Sequence, residues 1–311
     1  MIDVKVNQRQ DGVKRQISWG NMPYKSALRA GLFEGKVAVV TGGGSGIGRC
    51  TAHELASLGT KIVVMGRKVD KLARVVAEIA EDGGAAEAVA LDIRDEDAVK
   101  AAVGQVVARH GRIDCLVNNA GGQFPAPLAG ISKRGFEAVV ATNLTGGFLL
   151  MREVFAQSMS KHGGAIVNML ADMRNGMPGM AHSGAARAGM GNLTMTAAFE
   201  WAYAGVRVNA VAPGWIASSG MDNYGPEMRE MIQGLARHVP MKRLGLEAEV
   251  SAAICFLASP AAAFITGAIL PIDGGAPLGN RAFPLQEAAR GEAFEGFHRA
   301  RAPDVLNDAS A

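Results

Sequence analysis

Tyrosine is scarce in this chain: Tyr24, Tyr203 and Tyr224 are all there is in 311 residues, within an aromatic content of 5%. Chemistry that needs a phenol as its acid or base has only those candidates. Cysteine is equally rare, with Cys50, Cys115 and Cys255 and no Cys-x-x-Cys pair. A disulfide framework and a structural zinc cluster are excluded, no metal is expected, and a reducing compartment is implied. A run of about eighteen apolar residues, which a membrane span needs, is absent, and residues 1–20 hold no apolar stretch of the kind that directs export. The cytoplasm is the expected location, with no membrane partner. An excess of one charge is lacking too: 32 Lys and Arg stand against 29 Asp and Glu, a net +3. That is too little for a nucleic-acid binder. Residues 1–30 hold six cations and two acids, a balance of +4, which leaves −1 for the remainder.

What the chain does have is 49% hydrophobic residues in a repeating order. Short apolar runs at 37–41, 62–65, 88–91, 115–117, 166–169, 206–211 and 268–272 alternate with helical patterns. The helical patterns fall at 47–58, 68–80, 95–109, 136–162, 185–203 and 247–257. Strands apolar on both faces and separated by helices predict a parallel sheet covered on both sides and joined by right-handed crossovers. The fold class is therefore α/β: a doubly wound, Rossmann-type single domain over 34–276, with an N-terminal arm at 1–33 and a C-terminal extension at 277–311.

The first strand runs into Thr41-Gly42-Gly43-Gly44-Ser45-Gly46-Ile47-Gly48 and then a helix. Glycines at this junction let backbone N–H groups and the positive end of the helix face a pyrophosphate. No Walker-type lysine follows, which argues against a nucleoside triphosphate. The second strand ends in Met65-Gly66-Arg67-Lys68. An NAD site would place an acid there for the ribose 2′-hydroxyl, whereas cations suit a 2′-phosphate. Arg67 and Lys68 predict NADP(H); a solvated surface pair is the alternative.

With these motifs the chain resembles the short-chain dehydrogenase/reductase family over about residues 34–276. The glycine turn is joined by Leu91-Asp92-Ile93, Asn118-Asn119-Ala120-Gly121, Thr142-Asn143-Leu144-Thr145-Gly146, Arg207-Val208-Asn209-Ala210-Val211-Ala212-Pro213-Gly214 and Asp273-Gly274-Gly275. The resemblance implies that Asp92 and Ile93 lie by the adenine, that Asn119, Ala120 and Gly121 line the cofactor, and that Pro213, Gly214 and Ile216 flank the nicotinamide. It also implies a homotetramer, a substrate lid over 220–239, and an extension able to cover a neighbour's site.

The catalytic signature departs from the family. Where the family carries Tyr-x-x-x-Lys, alignment on Asn192-Leu193-Thr194 and Asn209 places Ser183 and Arg187, and Ala171 replaces the family serine three residues after Asn168. Tyr203 stands four residues before Arg207, but at a helix end, where a structural role is expected. The run from Ala181 to Gly189, with Gly121-Gly122-Gln123-Phe124 and Phe264-Ile265-Thr266-Gly267, is similar to the family's branch of peroxisomal trans-2-enoyl-CoA reductases; related dienoyl-CoA reductases also lack the tyrosine.

Reduction of a C=C bond conjugated to a thioester needs donors for an enolate oxygen more than a tyrosyl acid. Ser183 is a candidate donor and Arg187 a ribose contact, although a guanidinium hardly deprotonates and makes a poor relay. Asn143 holds a site water or plugs a helix kink. His182 donates the α-proton or packs and caps. Asp172 is an acid/base or a solvated loop carboxylate. Met169, Met173, Met177 and Met180 line an acyl pocket or fill the core. The expected function is NADP(H)-dependent reduction of trans-2-enoyl-CoA-type thioesters. Two alternatives stand beside it: an alcohol or carbonyl substrate, such as a terpenoid or branched-chain catabolic intermediate, and a cofactor-binding protein with little turnover.

Overall fold

In a computed structural model of the chain, which describes Tyr24, Ser26, residues 28–279, 284–288 and 291–306, the seven apolar runs form one parallel sheet. Its strands are β1 (Val37–Thr41), β2 (Lys61–Gly66), β3 (Ala85–Ala90), β4 (Cys115–Asn118), β5 (Gly164–Met169), β6 (Val206–Pro213) and, last in the chain, Ile269–Ile272. The helices are α1 (Gly46–Ser57), α2 (Val69–Glu81), α3 (Glu96–His110), α4 (Lys133–Val140), α5 (Gly146–Val154), α6 (Ser160–His162), α7 (Ala181–Trp201), α8 (Arg229–Gly234) and α9 (Glu247–Ala258). Two short strands, β7 (Ile216–Ala217) and β8 (Gly245–Leu246), pair with each other away from the main sheet, so Ile269–Ile272 is β9. The order across the sheet is β3-β2-β1-β4-β5-β6-β9.

Successive strand residues point to opposite faces, and this divides the core in two. Val39, Met65, Leu116, Ile166 and Val208 meet Val103, Leu150 and Met190 from α3, α5 and α7. Ala38, Val40, Val64, Val117 and Val167 meet Leu55, Val75 and Ile254 from α1, α2 and α9. Burial on both faces is why the central strands read as unbroken apolar runs. β3 is the exception. It begins three residues before the run at 88–91, because alanines of weak strand preference are held there by pairing with β2 at the sheet edge.

The helical pattern at 136–162 is interrupted by wider π turns at Ala141–Thr145 and Phe155–Met159. The first precedes Gly146 and Gly147, which bring α5 hard against the sheet. A Cβ at Gly146 would lie 2.7 Å from Ile93 Cγ1, and one at Gly147 would lie 3.0 Å from Asn118 Nδ2.

Most of the arm expected at 1–33 lies outside the described residues, but Tyr24 is buried and donates to Glu54 Oε2 at 3.0 Å. From the other end of the chain, Phe297 enters the same cluster. Its ring lies 5.8 Å from that of Tyr24, 5.1 Å from that of His53 and 5.0 Å from the Arg49 guanidinium carbon. Arg299 then pairs with Glu81 and Asp82 at 2.9 and 2.8 Å. Farther on, Val305 N donates to Asp222 Oδ1 at 3.1 Å, and Gln233 Nε2 donates to Val305 O at 3.0 Å. Residues 291–306 thus return over their own chain, first across α1 and α2 and then onto the 220–239 segment.

Phe297 is 1% exposed. Phe297→Ala should lower unfolding free energy by about 3 to 5 kcal/mol, the usual result of emptying a buried aromatic site. Urea unfolding followed by circular dichroism checks this; a loss below about 1 kcal/mol would mean that the extension is not packed there.

Candidate active site

The order β3-β2-β1-β4 makes the chain leave β1 in one direction and return beside it from the other, which opens a crevice at the carboxyl ends of β1 and β4. Thr41 and Asn119 close its floor. Thr41 Oγ1 accepts from Asn119 N at 3.0 Å and Ala120 N at 2.9 Å, while Asn119 Nδ2 donates to Thr41 O at 2.9 Å. The glycine turn lies directly above. Gly46 has φ +57°, a left-handed conformation that favours glycine. A Cβ at Gly48 would stand 2.4 Å from Asn119 Nδ2 and 2.6 Å from Gly42 O. Gly42 and Gly48 therefore need to be glycine for the strand ends to meet.

Ser45 precedes α1 in extended conformation without capping it, and the first turn of α1 with Ile47 carries no acid. By contrast α3 is capped by the Asp95 side chain and begins with Glu96 and Asp97. The N–H groups of α1 are thus left for an external anion. Glu247, which sequence reasoning missed, lies close by at the start of α9, its Oε1 3.8 Å from where a Gly46 Cβ would be. Burial pushes its carboxyl up to about 7, against the pull of Arg49. Burial thereby lessens the negative charge that Glu247 sets beside the turn.

At the end of β2, Arg67 and Lys68 are exposed. Asp92, beyond β3, is held by a fork from Arg94, with Nε at 2.9 Å from Oδ1 and Nη2 at 2.5 Å from Oδ2. The Arg94 hydrogen bonds bring its carboxyl down to about 2, and the Arg67 charge acts in the same direction. Arg94 was also missed by sequence reasoning, although its place two residues after Asp92 is the signal that could have found it. Cations outnumber acids at this end of the crevice. Ile93 is buried, its side chain and carbonyl against Gly146.

Deeper in, a buried chain of amides joins three elements. Asn118 Nδ2 donates to Asn168 Oδ1 at 3.2 Å, and Asn168 Nδ2 donates to Thr194 Oγ1 at 2.9 Å. Asn143, in the first π turn, accepts from Gly122 N at 2.8 Å and donates to Gly122 O at 3.0 Å. Its side chain anchors the loop after β4 to the helical interruption.

Arg187 is 8% exposed. It donates through Nη1 to Met169 O, and its Nε finds no partner. Among the described residues no carboxylate pairs with it, and burial lowers its guanidinium to about 10. A Cβ at Gly121 would sit 2.6 Å from Arg187 Nη2, so the guanidinium lies close against that loop. A buried cation without a counter-charge is costly; polar ribose hydroxyls or phosphate oxygens would offset that cost. The glycine cradle, the open helix end and the orphaned Arg187 Nε together fit a dinucleotide.

Ser183 and His182 are fully buried at the start of α7. His182 Nδ1 accepts from Ser183 N at 2.8 Å, its ring lies edge-on to Phe124 at 4.3 Å, and its Nε2 has no partner. Ser183 Oγ donates to Gln123 Oε1 at 2.7 Å. Asp172 is half-buried and anchors by its backbone N to Pro213 O at 2.9 Å, while its Oδ1 takes Arg174 N at 3.4 Å. Gly214 N donates to Ile272 O at 3.0 Å, and buried Ile216 underlies Gly245. Of the methionines, Met169 and Met180 are buried and Met173 packs on the α3/α5/α7 side of the core. Tyr203 is 82% exposed at the end of α7.

Residues 42–277 match a sequence family described as enoyl-(acyl carrier protein) reductase. The chain is a short-chain dehydrogenase/reductase. It is 35% identical over 250 residues to a peroxisomal 2,4-dienoyl-CoA reductase of Danio rerio, spanning 79% of this chain and 83% of that one. It is 38% identical to a glucose 1-dehydrogenase of Gluconobacter oxydans, over 82% of this chain and 95% of that one. A solved structure of a citronellol catabolism dehydrogenase from Pseudomonas aeruginosa PAO1 superposes with a TM-score of 0.75 at 60% identity, covering 82% of this chain and 100% of that chain. As a member of this family the protein is an oxidoreductase of nicotinamide cofactors. No helix among the described residues is long and apolar enough to cross a membrane, and none of their His, Cys, Asp and Glu side chains cluster as a metal site.

Gly48→Ala should weaken cofactor binding at least ~100-fold, since the added methyl must displace the Asn119 stitch or the backbone of Gly42. Titration of nicotinamide fluorescence reads this, and an affinity within about threefold of the parent would refute the cradle.

Proposed function

We propose that the protein is an NADP(H)-dependent reductase of the C=C bond in 2-enoyl thioesters of the acyl-CoA type. The observation that carries this reading is the pair Ser183 and Arg187 where the family has its tyrosine and lysine. Oxidation of an alcohol requires a base for the hydroxyl proton. Ser183 already gives its own proton to Gln123, and Arg187 remains a cation at neutral pH. Neither can take one up. A conjugated double bond asks less: the thioester oxygen must be met by donors as it gains charge. Four dienoyl-CoA reductases among the relatives support this.

Bound NADPH supplies a hydride to the β-carbon. The residues of this chain bind and orient. The Gly42–Gly48 turn and the start of α1 take the pyrophosphate, Asp92 and Ile93 the adenine side, and Arg67, Lys68 and Arg94 the 2′-phosphate. Arg187 holds the nicotinamide ribose in the place of lysine, with Asn119, Ala120 and Gly121 on one side and Pro213, Gly214 and Ile216 on the other. Asn143 fixes the loop that faces the reacting carbon, while His182 and Asp172 border it. Outward-facing Phe199 and Met195 on α7, Tyr203 in the turn that follows it and Phe148 on α5 support a homotetramer.

The 60% identity to a citronellol catabolism dehydrogenase favours a second reading, an acyclic terpenoid alcohol or aldehyde as substrate. One assay separates the two: NADPH oxidation with crotonyl-, hexenoyl-, decenoyl- and 3-methyl-branched enoyl-CoA, beside citronellol with NADP+ and a panel of aldehydes. Turnover of thioesters is expected, and turnover of alcohols or carbonyls alone would remove the first reading. For the cofactor, Arg67→Asp should weaken NADPH binding at least ~10-fold while NADH changes less than about twofold, because only the former loses a charge-assisted contact. Equal losses would sink the preference for NADPH.

A further inference from the structure

The position of the missing tyrosine is linked to another tyrosine. Ser183 Oγ donates to Gln123 Oε1 at 2.7 Å, and Gln123 Nε2 donates to Tyr224 Oη at 3.1 Å. The directions matter. An amide has one accepting and one donating end, so Gln123 consumes the proton of one hydroxyl and leaves the other free. It consumes that of Ser183. Tyr224 accepts, and among the described residues nothing takes its proton. The hydroxyl with a proton to give at this end of the crevice belongs to Tyr224.

Tyr224 comes from the 220–239 segment, not from α7. Its ring packs on a small cluster of Met221, Ile232 and Leu235, and Val305 and Leu306 of the C-terminal extension cover the same cluster. Asp222, two residues before it, accepts from Val305 N at 3.1 Å, and Arg229 Nη2 donates to Asp304 O at 3.3 Å. The segment that carries the phenol is thus strapped from behind by the chain's own extension. Gln123 itself is exposed, on the loop whose Gly121 lies along Arg187 and whose Gly122 is held by Asn143.

We infer that Tyr224 is a catalytic residue, the hydrogen-bond donor to the substrate's thioester oxygen, and that Gln123, oriented by Ser183, is its positioning residue. The inference rests on the reading of the protein as a C=C reductase. In that reaction the reduced nicotinamide transfers hydride, with two electrons, to the β-carbon. The π pair of the double bond shifts to form an enolate, and its charge falls on the oxygen facing Tyr224. A proton from water then adds to the α-carbon, the C=O bond re-forms, and the oxidised nicotinamide leaves. Tyr224 keeps its proton throughout, so no base is needed to reset it. In place of the family's site tyrosine stands one carried by the 220–239 segment.

The test uses the full chain with NADPH and the thioester and carbonyl panel. Tyr224→Phe keeps the ring and its packing and removes only the hydroxyl. It should lower kcat ~100-fold or more, the usual effect of deleting one donor to a developing oxyanion. NADPH affinity and thermal midpoint should stay as in the parent. Ser183→Ala frees Gln123 but leaves the phenol, so its loss should be smaller, about tenfold. Gln123→Leu should fall between the two. Unaltered kcat in Tyr224→Phe, or a loss in Ser183→Ala exceeding that in Tyr224→Phe, would overturn the inference. If the parent turns over only carbonyls, the reductase reading fails and the inference, framed for a thioester oxygen, falls with it; thioester turnover in the parent with unaltered kcat in Tyr224→Phe overturns the inference alone. A parent with no turnover of either class would overturn both.

Discussion

The crevice exists because two strand ends that are far apart in sequence are tied together at Thr41 and Asn119. One hydroxyl oxygen accepts from two successive backbone N–H groups of the loop after β4, and one amide returns a bond to the carbonyl of Thr41. At a topological switch point such groups would otherwise be left to solvent. Their closure sets the position of the glycine turn, which tolerates no side chain at Gly48 against the same asparagine. The start of α1 and the Gly121–Gln123 loop both continue directly from this junction, and Arg187 packs on Gly121 of that loop.

A second constraint is electrostatic. Arg187 is buried without a carboxylate partner, and Glu247 is buried beside the turn with its carboxyl raised to about 7. Both arrangements destabilise the isolated charges and make sense beside a polyanionic ligand: one cation without a counter-charge, one carboxyl whose ionisation is opposed by burial. The Asp92–Arg94 pair shows the opposite solution, a carboxylate satisfied within the protein and held at about 2 by its fork.

The extensions add a structural role that the core motifs do not carry. Tyr24 and Phe297 enter one cluster on α1 from opposite ends of the described chain, and Val305 and Leu306 continue onto the segment bearing Tyr224. Helix α1, at whose start the glycine turn lies, and the segment bearing Tyr224 are thereby held by a single stretch of chain.

How much was legible beforehand depended on the range of the interaction. The seven strands, their parallel order of burial and the glycine turn follow from local periodicity, since a doubly covered sheet imposes unbroken apolar runs and a phosphate turn needs glycine at set spacings. The β3 boundary and the π turns did not, because alanine carries little preference and the interruption depends on close packing against Ile93 and Asn118. Arg94 and Glu247 lay outside the recognised motifs. The scarcity of tyrosine, by itself, determined that the usual acid at the start of α7 is missing. Only the tertiary structure decided which hydroxyl stands near that place with its proton free, because the bonds from Ser183 to Gln123 and from Gln123 to Tyr224 span 60 and 101 residues of sequence. No local pattern encodes contacts made at that distance; they are set by where the folded strand ends and the strapped segment meet.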